Sequence, residues 1–327
     1  TFGSGSHTTA SQNAFNLLYK GVDVYRSTGY YQNFSDAHNL MSYRHTRAHN
    51  SLLVNGIGQP YSTEGYGSVM RAMGGQHISY CLGDASHAYR SISNDPMWVD
   101  YFKQAGIEQT PENGFGATPL TKYRRHVLML HPHTVIVYDE LEASEAVRWE
   151  WLLHSPTEFK IDAVKKTLST DNKTKGWVAV TQLFGGHVFT LSQTDRFVVP
   201  PAITGAEYPN QWHLTARVDG CSATRFLAII QIGDEAVSII NRDGDTFNVG
   251  DWTIKAVLDA SKAPELTVSH RTEQAVFSYG TDNPALNGNF YSRQYTGSSL
   301  LYDEIDGAYQ VVEMTDRSPI STRVVNQ

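Results

Sequence analysis

At 327 residues, 40% apolar and 18% charged, with a formal net charge of −7, this is a globular chain long enough for two domains. The composition excludes a disordered chain, and no apolar run approaches the roughly 20 residues of a membrane-spanning helix. The acidic balance argues against broad nucleic-acid binding but leaves an acidic polysaccharide open, because a local pair such as Arg44 and Arg47 can hold a carboxylate whatever the total charge.

Taken in order, Ala14 to Leu18 and Val22 to Tyr25 flank Tyr19-Lys20-Gly21 and read as a hairpin. Tyr43 to Asn50 reads as an extended segment leading into a strand at Ser51 to Asn55, closed by the turn Gly56-Ile57-Gly58. Val69 to Met73 and His77 to Leu82 bracket Gly74-Gly75. One short helix is expected, where Asp95 caps Pro96 and Met97, Trp98, Tyr101 and Phe102 follow at helical spacing. Gln109 to Thr121, rich in Gly, Pro, Thr and Asn, reads as a loop.

Three antiparallel strands are expected next: His126 to Leu130, Thr134 to Tyr138 after the turn His131-Pro132-His133, and Arg148 to His154. Lys160 to Lys175 predicts an edge hairpin through Asp171-Asn172. Gly176 to Leu191 and Trp212 to Val218 return to strand character, and the apolar run Arg225 to Ile232 is a buried strand. Shorter strands follow at Gln274 to Ser278, Ser299 to Tyr302 and Tyr309 to Glu313. The expectation is an all-β chain: a large antiparallel two-sheet sandwich over 1–233, then a smaller β domain over 234–327.

Cys81 and Cys221 are the only cysteines, form no CxxC pattern, and read as free thiols. The chain opens at Thr1 without a methionine, as the middle of a longer protein would.

Chemistry concentrates in the first fifty residues: His7, His38, His45 and His49, Arg26, Arg44 and Arg47, and the adjacent Tyr30 and Tyr31. On an extended segment Arg44 and Arg47 point to opposite faces, one bracing the structure or pairing at the surface while the other reaches a ligand. His45 and His49, four apart, form a metal pair on a helix; on a strand they lie ~13 Å apart, which argues against zinc.

Ser6-His7, Ser11-Gln12-Asn13-Ala14-Phe15, Ser27-Thr28-Gly29-Tyr30-Tyr31, Thr46-Arg47-Ala48-His49-Asn50, Val54-Asn55-Gly56-Ile57-Gly58-Gln59, Val135 to Glu140 and Trp149 to His154 follow one another in an order that resembles the heparinase II/III-type polysaccharide lyases. The resemblance covers roughly residues 1 to 235. It implies the β-sandwich part of a uronate polysaccharide lyase of the alginate or heparin/heparan type, periplasmic or secreted, whose α/α toroid lies upstream and closes the cleft.

It further implies that His7 matches the sandwich's catalytic histidine, and that His49 matches a histidine that binds structural zinc in some members. Thr9 and Ser27 stand where those members carry a second histidine and an aspartate, so no metal and no cofactor is expected. Such lyases abstract the proton at C5, α to the carboxylate, and expel the C4 oxygen, which requires charge neutralisation, a base and an acid. His7 is the candidate base or carboxylate-neutralising group, working with a tyrosine of the toroid. Arg44, Arg47, His49, Asn50, Tyr30 and Asn13 are candidates for substrate binding or support. Asp139 and His154 read as core features. The competing expectations are a non-catalytic carbohydrate-binding module, a structural sandwich, and a cupin-like metal enzyme suggested by the histidines.

Overall fold

The structure, a computed structural model, describes residues 7–62, 64–203, 207–234, 237, 239–286, 289–316 and 319–324. The opening Thr1 to Ser6 lies outside the described residues. The alternating segments form antiparallel strands: β1 (Leu17–Tyr19), β2 (Val22–Tyr25), β3 (Leu52–Val54), β4 (Ser68–Gly74) and β5 (Ile78–Asp84). After helix α1 (Pro96–Gln104) come β6 (Leu120–Leu130), β7 (Thr134–Ser155), β8 (Lys160–Asp162), β9 (Thr167–Asn172), β10 (Trp177–Gly185), β11 (Thr190–Thr194) and β12 (Trp212–Gly233). The chain continues as β13 (Ile240–Asp243), β14 (Thr246–Val249), β15 (Trp252–Ala256), β16 (Leu266–His270) and β17 (Val276–Tyr279). It ends with β18 (Ala285–Leu286), β19 (Asn289–Phe290), β20 (Ser299–Ile305), β21 (Ala308–Met314) and β22 (Pro319–Val324).

The first large sheet runs β4-β5-β6-β7-β12-β10-β9-β8, with β3 added to β7 and β11 to β12. The second runs β13-β14-β15-β16-β17-β20-β21-β22. The chain passes from one to the other after Gly233, and the sheets pack face to face through one apolar layer. Leu128, Ile136, Tyr138, Leu227 and Ile229 from the first sheet meet Phe247, Ile254, Val268, Phe277 and Leu301 from the second. The opposite face of the first sheet carries Val137, Trp149, Trp151, Phe226, Ala228 and Ile230 and is covered in part by Val24, Tyr25 and Tyr89. Sandwiched between two apolar layers, the middle strands need apolar residues on both faces, which explains the unbroken run in β12.

The all-β, sandwich-like reading holds, with α1 as the one α-helix among the described residues; Asp95 caps it by accepting from the Met97 amide. Other local expectations change. Thr134 to Tyr138 and Arg148 to His154 belong to the single 22-residue strand β7, because the largely exposed stretch 142–146 interrupts the apolar pattern without interrupting the backbone. Trp212 to Val218 and Arg225 to Ile232 likewise form one strand, bulged between Val218 and Ala223. The edge hairpin exists, but its turn is 163–166; Asp171 and Asn172 end β9.

The largest local correction is Tyr43 to Asn50, which is not extended. Asn39–Tyr43 is a π-helical turn and Thr46–Ala48 a 3-10 turn. Polar side chains capture the backbone here: His45 Nδ1 accepts from the Arg47 amide at 3.1 Å, while Thr46 Oγ1 donates to the Ala10 carbonyl and accepts from the Gln59 amide, both at 2.8 Å.

Candidate active site

Residues 7–14 cross the end of the first sheet over β4, β5 and β6 and wall a groove of about 480 Å³. His7, Thr9 and Asn13 line one side; Ser68, Val69, Cys81 and Val127 line the other. His7 is exposed, its ring 5.8 Å from that of Phe34. Asn13 has a left-handed backbone, φ 60°, and turns its side chain into the sheet, donating to the Gly83 and Tyr123 carbonyls at 3.3 and 3.2 Å. Position 83 must be glycine for this: a Cβ there would collide with Asn13 Oδ1.

Arg125 anchors the segment. It is 2% exposed and makes a two-point pair with Asp139, Nε to Oδ1 2.7 Å and Nη2 to Oδ2 2.8 Å. Its Nη1 donates to the Asn13 and Asn50 carbonyls at 2.8 and 2.6 Å, and Trp151 Nε1 donates to Asp139 at 2.8 Å. Burial disfavours the Arg125 charge, but the Asp139 carboxylate outweighs it and holds the pKa above the ordinary arginine value. Arg125 lines the groove with its charge already neutralised. Gln12 and Gln59 add a reciprocal pair: the Gln12 amide donates to Gln59 Oε1 at 2.8 Å, and Gln59 Nε2 donates back to the Gln12 carbonyl at 3.0 Å.

Arg44 approaches the same segment from behind. Only 2% exposed, it donates from Nε to Asn39 Oδ1 at 3.1 Å and from Nη1 to the carbonyl of Thr8, the residue after His7. Its guanidinium lies 5.1 Å from the Trp98 ring centre and 5.5 Å from that of Phe34. No carboxylate pairs with it among the described residues, and burial lowers its pKa.

The other candidates are committed to protein partners. His49 is buried, with Nδ1 2.8 Å from Ser27 Oγ and Nε2 3.3 Å from the Arg44 carbonyl; burial pushes its pKa down to about 4. Arg47 donates from Nε to His45 Nδ1 at 3.1 Å and from Nη2 to the Asn113 carbonyl at 2.6 Å. Asn50 donates to the Phe15 carbonyl at 2.8 Å and accepts from the His154 amide at 2.7 Å. Tyr30 donates its hydroxyl to the Pro209 carbonyl at 2.6 Å, and burial raises its pKa. Of the candidate set, only His7 and Asn13 line the groove. Arg44 touches the segment that carries them, at Thr8, and Asn50 bonds to the Phe15 carbonyl just past it.

The positions of a structural zinc do not suit the ion. Thr9 Oγ1 is hydrogen-bonded to Ser11 Oγ at 2.7 Å, Ser27 offers a hydroxyl, and both nitrogens of His49 are engaged. Zinc takes thiolate, imidazole and carboxylate donors, and this set supplies one occupied imidazole. Among the described residues no three His, Cys, Asp or Glu side chains converge as a metal site. Cys81 and Cys221 are half-buried free thiols.

A family model, Heparinase II/III-like, C-terminal, matches residues 2–216. The chain belongs to that family. No curated protein matches the sequence. Solved structures share the fold: a heparinase III at TM-score 0.55 and 14% identity covers 89% of this chain and 36% of its own. The heparan sulfate lyase HepC from Pedobacter heparinus, at TM-score 0.54 and 12% identity, covers 88% of this chain and 38% of its own. The heparinase III BT4657 gene product, at TM-score 0.54 and 13% identity, covers 84% and 37% respectively. This chain therefore spans little more than a third of those structures.

Sequence reasoning missed Arg125 and the groove wall at Ser68, Val69 and Cys81. A signal for the first existed. Extending the expected hairpin around His131-Pro132-His133 by one pair sets Arg125 directly opposite Asp139. The groove wall had none, because β4 and β5 reach the 7–14 segment only through tertiary folding.

Proposed function

We propose that this chain is the β-sandwich half of a polysaccharide lyase that cleaves uronic-acid-containing polysaccharide, of the heparin/heparan or alginate type, by β-elimination. Residues 1–233 supply the cleft half and residues 234–327 the smaller C-terminal part; an α/α toroid of the same protein supplies the other wall. The observation that carries the reading is an exposed His7 at a groove of about 480 Å³, in a chain of this family.

His7 acts at the C5 proton or on the uronate carboxylate. Asn13 shapes the groove, and Arg44, bonded to the Thr8 carbonyl, positions His7. The unpaired Arg44 cation behind that segment also favours an anionic sugar over a neutral one. His49, Arg47, Asn50 and Tyr30 support the frame through their internal hydrogen bonds. No cofactor takes part, and the protein acts in the periplasm or outside the cell.

In the intact protein with its toroid, His7→Ala abolishes formation of unsaturated uronate, followed by ultraviolet absorbance on heparan sulfate and alginate. Full activity in the variant refutes the assignment. A second reading, a carbohydrate-binding module, draws on the hydrogen bonds that commit Arg47, His49, Asn50 and Tyr30 to protein partners, which leaves His7 and Asn13 as the candidates that line the groove. Glycan binding without turnover, with the toroid present, selects it.

A further inference from the structure

The edge of the first sheet farthest from His7 carries a second depression, of about 430 Å³. Its walls are the turn between β8 and β9, the loop between β10 and β11, and Arg242 of β13. Lys165, Lys166, His187 and Arg242 line it, and among the described residues no carboxylate does. In a chain of net charge −7 this local sign runs against the whole.

The cations are available. Neither lysine nor Arg242 has a carboxylate at ion-pair distance among the described residues. The neighbouring Asp162 is turned to the backbone, accepting from the Val164 and Lys165 amides at 3.0 and 2.9 Å. Two of the charges are also held in place. The Arg242 guanidinium lies 5.2 Å from the Phe247 ring centre and 5.6 Å from that of Phe184, with Nε donating to the Gly244 carbonyl at 2.9 Å. Lys166 sits 5.2 Å over Phe189. Fixed cations lose less freedom on meeting a ligand than mobile ones.

The rim carries Val164 and Val188, 93% and 92% exposed. Aliphatic tips beside lysines also suit an anionic membrane, but a membrane meets a convex or flat face, and this face is concave. We propose that the depression is a second binding site for an acidic polysaccharide, taking its sulfate or carboxylate groups away from the cleft; this extends the lyase reading. From β4 to β9 is six strand spacings, roughly 29 Å along the sheet, so one polymer can occupy both places while a short oligosaccharide cannot. Such tethering raises the effective concentration of polymer at the cleft.

The test is the variant Lys165→Glu/Lys166→Glu/Arg242→Glu in the intact protein, with Lys165→Gln/Lys166→Gln as a milder companion. Retention on immobilised heparin and on alginate gel should weaken about five- to tenfold in the triple variant, and less in the double one. Retention on neutral dextran and cleavage of a tetrasaccharide should stay unchanged. Unaltered retention overturns the proposal, as does wild-type binding to phosphatidylserine–phosphatidylcholine vesicles with none to either polysaccharide. His7→Ala should keep the edge retention, so loss of turnover and loss of this site register separately.

Discussion

Asp139→Asn removes one charge from the most buried ion pair near the groove. Arg125 and Asp139 are 2% and 1% exposed, so the guanidinium left behind is a buried cation among the rings of Phe15, Tyr123 and Trp151. Breaking a pair of this kind costs about 3–5 kcal/mol. Asparagine offers a single acceptor oxygen where the carboxylate serves Arg125 Nε and Nη2 and Trp151 Nε1, so its amide must face a donor. The damage extends to the groove, since Arg125 Nη1 also holds the Asn13 and Asn50 carbonyls. Urea unfolding followed by tryptophan fluorescence should show the loss, with hydrogen exchange rising in residues 7–14 before the sheet opens. Trp151→Phe removes one donor and should cost about 1.5–3 kcal/mol. A cost below about 1 kcal/mol for Asp139→Asn would refute the view of this pair as the anchor of the segment.

Acid should destabilise the fold as pH falls below about 6.5. Burial holds His49 at about 4 and His45 and His154 well below the ordinary histidine value. The unfolded chain therefore binds more protons between pH 6.5 and 4. The stabilisation is complete above 6.5 and lost as pH falls, about 3 kcal/mol for His49 alone; unfolding free energy that is flat from pH 6.5 to 4.5 would contradict this. Glycine substitutions separate strain from collision. Gly29→Ala places a Cβ against the Ser42 carbonyl and 2.8 Å from Tyr43 Cα at φ 83°, and should cost about 2–4 kcal/mol in denaturant titration. Gly21→Ala, at φ 75° with open space around it, should cost only about 1 kcal/mol.

The strands and the capped helix were legible in the sequence because they rest on local physics: side-chain alternation and the Asp95 cap. Even the continuous burial of Arg225 to Ile232 was readable, since a strand covered on both faces must be apolar throughout. What partners an arginine was not. Arg44 and Arg47 look alike in sequence, yet one braces the His7 segment from among aromatic rings and the other is bound to His45 and Asn113. Both environments are built from residues distant in the chain. Arg125 bonds to carbonyls 112 and 75 positions away, and the groove wall at Cys81 exists because β4 and β5 pair beside β6. Periodicity specifies which face of a strand is buried; only the packed sheets decide what lies against that face, and the shape and charge of the groove follow from that.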